Sequence, residues 1–233
     1  MEYHFDWGIL LESPYSGWLV TGIEITLLLA IASTILSFLL GAILTVGMVS
    51  DYRIMRFIAG TIIHVTRNIP GLFWILFFYF VFPEFLPEPM QMSINESSYY
   101  PIIAGILGLT VDNSPYIAEI LRSGVNAVSA GQWDASVASG FTNFQKWIHV
   151  LLPQALRISI APLGTRLIHN FKNTSLCMAI AVPELTWASK QVESLTFRGI
   201  ESMTAATIFY LLMGLLLMVW VNRLDNRLAQ KRP

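Results

Sequence analysis

The sequence predicts an all-α, polytopic membrane protein with five transmembrane helices. Its 233 residues are 55% hydrophobic and only 12% charged, whereas a soluble domain usually carries about 25% charged residues. Too few charges remain to cover a surface that faces water. The net charge of −1 and the lack of a dense basic stretch exclude a nucleic-acid-binding protein. The single cysteine, Cys177, excludes a disulfide framework.

Five stretches are apolar and long enough to cross a bilayer, which takes roughly 20 helical residues. The first and the last carry no charge, whereas ionisable residues interrupt the third and the fourth. The predicted spans are 25–49, 62–82, 101–122, 158–182 and 202–222. In the first span, small residues at four-residue spacing predict a helix-packing seam, either within the chain or across a dimer. These residues are Ser33, Ser37, Gly41 and Thr45.

The lysines and arginines in the loops and at the ends of the spans are distributed unequally between the two sides of the membrane. Nine fall on one side and two on the other. Since cytoplasmic loops are enriched in these residues, we expect the N-terminus outside and the C-terminus in the cytoplasm. Five spans, an odd number, also place the two termini on opposite sides of the membrane. The predicted organisation is an extracytoplasmic segment 1–17, a membrane domain 18–228 and a cytoplasmic tail 229–233.

The predicted cytoplasmic loop between the third and fourth spans is poor in charge. Helical periodicity places Trp133, Val137 and Phe141 along one apolar stripe. Gly140 predicts a break, and Pro153 predicts the start of the next helix. Two short helices with an apolar face are suited to a groove in another protein. A surface helix lying among lipid headgroups is the alternative.

The spacing in this loop resembles the signature of permease subunits of type I ABC importers. That signature is Glu-Ala-Ala, three residues, Gly, nine residues, Ile, one residue and Leu-Pro. The chain has Asp134-Ala135-Ser136, Gly140, Val150 and Leu152-Pro153 at the same distances. The resemblance implies a coupling loop at 131–153 that docks into a separate ATPase. The implied coupling residues are Gly131, Gln132, Trp133, Asp134, Ala135, Ser136, Gly140, Leu152 and Pro153.

Three further stretches resemble the polar-amino-acid permeases within that group. The resemblance extends over about 17–228, and the stretch 67–88 is most similar to glutamate/aspartate permease subunits. It implies the type I permease fold with cytoplasmic coupling helices, and import of a polar amino acid. The matching stretches are Arg67-Asn68-Ile69-Pro70, Tyr116 to Trp133, and Leu152 to Arg157 with Lys172-Asn173-Thr174-Ser175-Leu176.

The resemblance also implies that this chain is not an enzyme and holds no cofactor. ATP and Mg would be used by a partner ATPase dimer, and no Gly-x4-Gly-Lys-Ser/Thr phosphate loop occurs in the sequence. A second permease subunit, identical or homologous, and an extracytoplasmic solute-binding protein are the other implied partners. An ATP-independent exchanger or channel is the alternative, although the internal repeats of such proteins are not visible. The histidines lack metal-ligand spacing, so no metal site is predicted.

Ionisable residues inside the membrane indicate where a solute would pass, because they normally face the bundle interior or a water-filled cavity. Asp112 suits the amino group of a zwitterion and Lys172 suits its carboxylate; an Asp112–Lys172 ion pair is the alternative. For Arg67, gating or loop packing is favoured over solute contact. Glu119 and Arg122 are expected to form an ion pair. The candidate path comprises Arg67, Asp112, Asn113, Tyr116, Lys172, Asn173, Thr174 and Ser175.

Overall fold

The computed structural model describes residues 3–229, and the expected all-α class is confirmed there by ten α-helices and no strand. Glu2, Lys231, Arg232 and nearly all of the predicted tail 229–233 lie outside the described residues. The helices are α1 (Tyr15–Val49), α2 (Arg53–Arg67), α3 (Gly71–Leu76), α4 (Glu88–Asn95), α5 (Tyr100–Asn126), α6 (Ala130–Ala138), α7 (Asn143–Gln145), α8 (Leu152–Asn173), α9 (Leu185–Thr196) and α10 (Gly199–Ala229).

The chain divides into two compact units, and the four long helices α1, α5, α8 and α10 each contribute residues to both. The first unit contains 3–35, 69–112 and 169–215, and the second contains 36–68, 113–168 and 216–229. Each unit has its own apolar cluster. The first cluster includes Leu29, Ile75, Ala104, Leu109, Cys177, Ile180 and Val182, and the second includes Leu44, Ile63 and Ala118.

Within residues 3–229, two helices are long and apolar enough to cross a membrane, and a third candidate span results if the bent pair α2 and α3 is counted as one. α1 starts ten residues before the predicted boundary at 25, because Glu24 is tolerated on its exposed surface. α5 and α8, with 27 and 22 residues, contain charged side chains that lower their hydropathy. The count of five spans therefore stays a prediction.

The expected second span, 62–82, is interrupted in its first third. α2 ends at Arg67, and α3 begins at Gly71 after Pro70 in an extended conformation. Proline has no backbone N–H and disfavours helical geometry in the residue before it, so the helix cannot continue through this position. A π-helical turn and a 3-10 turn then extend α3 to Phe85.

The fourth expected span, 158–182, also differs in its limits. α8 begins six residues earlier and gives way to a 3-10 helix at Thr174–Ile180. A π-helical turn, Lys146–Leu151, runs directly into α8. Pro153 is therefore the second residue of α8 and follows residues that are already helical, so the expectation that it opens the helix is wrong.

The small-residue seam of α1 packs against α5 within the second unit. An added Cβ at Gly41 would lie 2.8 Å from Cγ2 of Ile117, closer than side chains approach one another. Thr45 donates through Oγ1 to the carbonyl of Ala118 at 3.2 Å, and Ser37 is fully buried. Small residues permit this approach of two backbones. Over Ser37–Thr45 the seam therefore has its partner within the chain.

Candidate functional site

The loop between α5 and α8 folds as two short helices separated at a glycine, as predicted. We call residues 130–153 the coupling segment. α6 ends at Ala138, and Gly140 has a φ of 75°, a left-handed conformation that glycine adopts without a Cβ clash. The amide of Gly140 donates to the carbonyl of Val137 at 2.9 Å and closes the helix end. Gly140 is thus required by backbone conformation.

The second short helix begins with a capping box. The Thr142 amide donates to Oε1 of Gln145 at 2.9 Å, and the Gln145 amide donates to Oγ1 of Thr142 at 3.3 Å. These reciprocal bonds satisfy two amides that would otherwise lack partners at a helix start. α7 and the π-helical turn then lead into α8, so both short helices have defined ends.

The coupling segment exposes its apolar stripe. The exposed fractions are 38% for Trp133, 50% for Val137 and 38% for Phe141. Of the nine predicted coupling residues, eight are exposed, and Ser136 is buried. Its Oγ donates to the carbonyl of Trp133 at 2.6 Å, which explains why Ser fits where the resembling signature has Ala. A stripe of this kind is typical of a surface that another protein covers.

A buried lysine joins the two short helices of the coupling segment. Lys146 is 8% exposed, and its Nζ lies 4.8 Å from the centroid of the Trp133 ring. The same Nζ donates to Oδ1 of Asn143 at 3.1 Å. An ammonium over an aromatic face is attracted by the ring quadrupole. Nothing in the sequence indicates this pairing, because Lys146 and Trp133 lie thirteen residues apart on different short helices.

In the first unit, Asp112 lies in a close-packed polar group. It is 8% exposed, and its Oδ2 accepts from Nδ2 of Asn173 at 3.5 Å. Asn173 also contacts Nδ1 of His169 at 3.3 Å. An added Cβ at Gly71 would lie 2.9 Å from the carboxylate carbon of Asp112. The beginning of α3 therefore abuts the carboxylate, and the structure brings Asp112 together with Asn173 as the candidate path requires.

The predicted path residues at the end of α8 and in the 3-10 helix after it have different surroundings. Thr174 is fully buried and donates through Oγ1 to the Phe171 carbonyl at 2.7 Å. Ser175 donates to the carbonyl of Lys172 at 2.9 Å, and the Lys172 side chain is exposed. Both hydroxyls of the 3-10 helix therefore bond to carbonyls in the last turn of α8.

In the second unit, two guanidinium groups lie over one tyrosine ring. The Cζ atoms of Arg67 and Arg166 lie 5.1 Å and 3.8 Å from the centroid of Tyr116. Both distances are within the range of cation–π attraction. Nε of Arg166 donates to Oδ1 of Asn113, and Asn113 is 1% exposed. We call Arg67, Asn113, Tyr116 and Arg166 the arginine cluster.

The expected ion pair between Glu119 and Arg122 is confirmed. Nη2 and Nε of Arg122 lie 2.7 Å and 3.1 Å from Oε2 of Glu119. Arg67 approaches the other carboxylate oxygen only to 3.9 Å. Arg166 was not among the predicted path residues, because its neighbours Asn113 and Tyr116 lie some fifty residues away in sequence and no local spacing connects them.

No group of three or more His, Cys, Asp and Glu side chains is arranged to hold a metal ion within residues 3–229. The chemical character of the site instead comes from the exposed apolar stripe and from the polar group described in each unit.

Comparison with known proteins gives the family. Residues 37–230 match the model of the family described as binding-protein-dependent transport system inner membrane component. The chain belongs to this family. It is therefore a multi-pass inner membrane transport component and not itself an enzyme, and the resemblance to ABC importer permeases is confirmed.

Individual relatives of this inner membrane component agree with the assignment. A probable glutamine ABC transporter permease protein of Bacillus subtilis, GlnM, is 31% identical over 205 residues, 88% of this chain and 90% of the relative. The glutamate/aspartate import permease protein GltJ of Escherichia coli is 24% identical over 97% of this chain and 96% of its own length.

A solved structure has the same fold. A crystal structure of an amino acid ABC transporter with histidines superposes with a TM-score of 0.81 at 24% identity, over 97% of this chain and 100% of that one. The ABC permease fold expected from the sequence is confirmed by this likeness.

Proposed function

We propose that this chain is the membrane-spanning permease subunit of an ATP-driven importer for a polar amino acid, with glutamate or aspartate among the candidate solutes. The observation that carries the proposal is the exposed stripe of the coupling segment, Trp133, Val137 and Phe141. The stripe lies within the segment that carries the signature spacing, and exposed apolar side chains there support docking of another protein. The names of GlnM and GltJ support an amino acid as the solute.

Three partners complete the proposed importer. A dimer of ABC ATPase subunits receives the coupling segment and uses ATP and Mg, because this chain carries no phosphate loop. A second permease subunit, identical or homologous, forms the other half of the pathway. An extracytoplasmic solute-binding protein delivers the solute, as the family description implies.

The proposed topology has five spans, the N-terminus outside and the C-terminus in the cytoplasm. α1, α5, α8, α10 and the bent pair α2–α3 supply the spans. The coupling segment and the C-terminal end of α10 then lie in the cytoplasm, where the positive-inside rule places their lysines and arginines. The proposed membrane domain, 18–228, contains these elements except for the first residues of α1 and the last residue of α10.

The solute path runs past the polar residues of α5 and α8. Because a polar solute cannot dissolve in the bilayer core, access to these residues alternates between the two sides of the membrane. Asp112 is the proposed ligand of the amino group, with Asn113, Tyr116, Asn173, Thr174 and Ser175 along the path. Lys172 is a carboxylate ligand in this scheme, and Arg67 lies at the break after α2.

The test is purification of the tagged full-length chain in mild detergent, followed by mass spectrometry and by uptake measurements after reconstitution. We expect a stoichiometric ATPase that contains a phosphate loop, and amino acid uptake that fails without ATP but survives collapse of ion gradients. Uptake that follows an ion gradient and ignores ATP would instead establish the exchanger or channel alternative.

A further inference from the structure

A cavity of about 560 Å³ lies within the second unit, among the C-terminal ends of α1 and α5 and the coupling segment. We call it the coupling cavity; its lining comes from 48–49, 122–133 and 147–151. Volumes of about 300–1,000 Å³ are typical of sites that hold small molecules. Trp133 of α6 and Trp147 of the π-helical turn give it aromatic walls. None of the proposed solute-path residues, all of which the structure describes, lines this cavity, so the path does not account for it.

The coupling cavity is lined by hydrogen-bond donors but not by carboxylates. Arg122 uses Nε and Nη2 for the carboxylate of Glu119. Both N–H groups of its Nη1 are left without an acceptor among residues 3–229. The indole N–H groups of Trp133 and Trp147 likewise have no acceptor within that range. No Asp or Glu of the described chain lines the cavity, so the donors there have no matching anion in the lining itself.

Positive side chains adjoin this lining. Glu119 is shared by two guanidiniums, because its Oε1 lies 3.9 Å from Nη1 of Arg67 and its Oε2 accepts from Arg122. Two positive groups and one negative group leave a net charge of +1. Lys146 adds another positive charge, since its Nζ lies 4.8 Å from the centroid of the Trp133 ring. Opposite charges attract more strongly beside protein than in bulk water, so this charge favours an anion in the cavity.

An apolar stripe of α1 leads into the coupling cavity. Leu39, Ile43 and Val46 are 54%, 67% and 63% exposed. Val49, which lines the cavity, continues this stripe three residues later on the same helix face. In the proposed orientation α1 ends at the cytoplasmic side of the bilayer, so the stripe faces acyl chains and the cavity lies at the level of the headgroups. Tryptophan is enriched at that level, as are the two indoles of the cavity walls.

We propose that the coupling cavity binds an anionic phospholipid of the cytoplasmic leaflet, which braces the coupling segment against the ends of α1 and α5. The choice of leaflet rests on the proposed function, which sets the orientation. The lipid phosphate accepts from Arg122 and the two indoles, and the acyl chains lie along the α1 stripe. Basic pockets between membrane helices on the cytoplasmic side are suited to anionic headgroups. A soluble anion would satisfy the same donors but would leave the apolar stripe uncovered.

The test measures lipid binding by native mass spectrometry on the full-length chain with its co-purified partners, after detergent has removed native lipid. The probes are anionic phosphatidylglycerol, zwitterionic phosphatidylcholine, and glycerol 3-phosphate, which carries the phosphate without acyl chains. Arg122→Gln removes the guanidinium, whereas Val125→Trp fills the cavity and leaves the pair of Arg122 and Glu119 in place. Arg53→Gln is the matched control, because it removes an exposed arginine of the same predicted side that does not line the cavity.

We expect phosphatidylglycerol to bind about fivefold more tightly than phosphatidylcholine, the effect of one arginine near an anionic lipid. Arg122→Gln should raise the Kd of phosphatidylglycerol about 10- to 100-fold, the size of a lost charge-assisted hydrogen bond. Val125→Trp should weaken the binding of both lipids, and Arg53→Gln should bind them as wild type does. In proteoliposomes of phosphatidylcholine, added phosphatidylglycerol should raise ATP hydrolysis by the wild-type complex severalfold but not by Arg122→Gln.

The lipid site is overturned if Arg122→Gln and Val125→Trp, purified as intact complexes, bind phosphatidylglycerol as wild type does. It is also overturned if Arg53→Gln weakens binding equally, since the attraction would then belong to the whole cytoplasmic face. Displacement of the lipid by an equal concentration of glycerol 3-phosphate would assign the cavity to soluble anions instead. Lipid binding that appears only after the ATPase is removed would show that the ATPase fills the cavity. Equal ATP hydrolysis with and without phosphatidylglycerol would refute the brace.

Failure of the lipid site and failure of the importer are separable, because lipid binding is measured without transport. ATP-driven amino acid uptake, combined with unaltered lipid binding in the two cavity variants, refutes only the lipid site. Absence of ATP-driven uptake of any amino acid, combined with lipid binding that the cavity variants lose, refutes only the importer.

Discussion

The coupling segment exposes apolar side chains, whereas the middle of α5 buries polar ones. Each arrangement is the opposite of what is usual for a protein surface or interior. The coupling segment exposes Trp133 and Val137 to the outside at 38% and 50%. The middle of α5 buries Asp112, Asn113 and Ser114, at 8%, 1% and 2% exposure. Apolar side chains outside a membrane require a protein to cover them, and polar side chains within one require a polar partner. The coupling segment is therefore suited to be covered by another protein, whereas the polar side chains of α5 are enclosed within the fold.

The largest expected effect is on the coupling segment. In a Gly140→Glu variant, we expect transport to fall to background while the chain remains inserted in the membrane. An unpaired carboxylate buried in an interface costs about 3–5 kcal/mol, which is more than a hundredfold in affinity. Uptake and transport-linked ATP hydrolysis in proteoliposomes measure the effect.

Gly140→Asn is the matched control, because Asn tolerates the left-handed conformation and adds no charge. It should retain most of the coupling. Normal transport by the Gly140→Glu variant would mean that the exposed stripe is not a docking surface.

The second effect concerns the buried polar group of α5. An Asp112→Asn substitution retains the shape of the side chain and removes its charge, so we expect lower uptake or a changed preference among cationic, neutral and anionic amino acids. Glu24→Gln, at an exposed site of α1, is the control. Unchanged uptake of all three classes would assign Asp112 a purely structural role.

A smaller effect is expected where α1 approaches α5. In Gly41→Val the new Cβ would lie 2.8 Å from Ile117 and 2.9 Å from the carbonyl of Ser114. Overpacking of this kind costs about 1–3 kcal/mol, which corresponds to a drop in Tm of roughly 2–12 °C. Thermal unfolding of the detergent-solubilised chain measures it.

Gly17→Val places the same substitution in the same helix, where an added Cβ meets nothing within 4 Å. It should change the Tm much less. Equal shifts would show that helix propensity, rather than the contact with α5, determines the result.

The smallest effect is expected at Lys146. Lys146→Met keeps the volume but removes the attraction to the Trp133 ring and the bond to Asn143, together worth about 1–2 kcal/mol. We expect a several-fold reduction in ATPase stimulation, compared with a Lys190→Met control. A loss as complete as that expected for Gly140→Glu would mean that Lys146 itself reaches the partner.

What the sequence predicted correctly depends on local backbone chemistry. Gly140 breaks the coupling segment because of its φ, a property of a single residue that can be read without a structure. The interruption before Pro70 differs from the expected span 62–82, which runs through it, although its cause, the missing N–H of proline, is equally local. The nine coupling residues are implied by the resemblance of one short loop to the family signature, and eight of them are exposed while Ser136 is buried; docking itself stays a prediction.

What the sequence did not predict depends on packing between distant segments. Arg166 bonds to Asn113, 53 residues away, and Lys146 lies on Trp133. The π-helical turn Lys146–Leu151 likewise has no signature residue. The helical turns of α1 that precede the expected span 25–49 have no signature in the sequence, because an exposed Glu such as Glu24 is compatible with a helix as well as with a span boundary.

The length of α1 has a consequence for the lipid in which the protein works. Its 35 residues extend about 52 Å at 1.5 Å per residue, and the hydrocarbon core of a bilayer is about 30 Å thick. Such a helix adapts to a thicker membrane by tilting less and to a thinner membrane by tilting more, each at a modest energetic cost. Activity should therefore vary little between short-chain and long-chain phospholipids, since no exposed polar end of α1 has to be drawn into the acyl region.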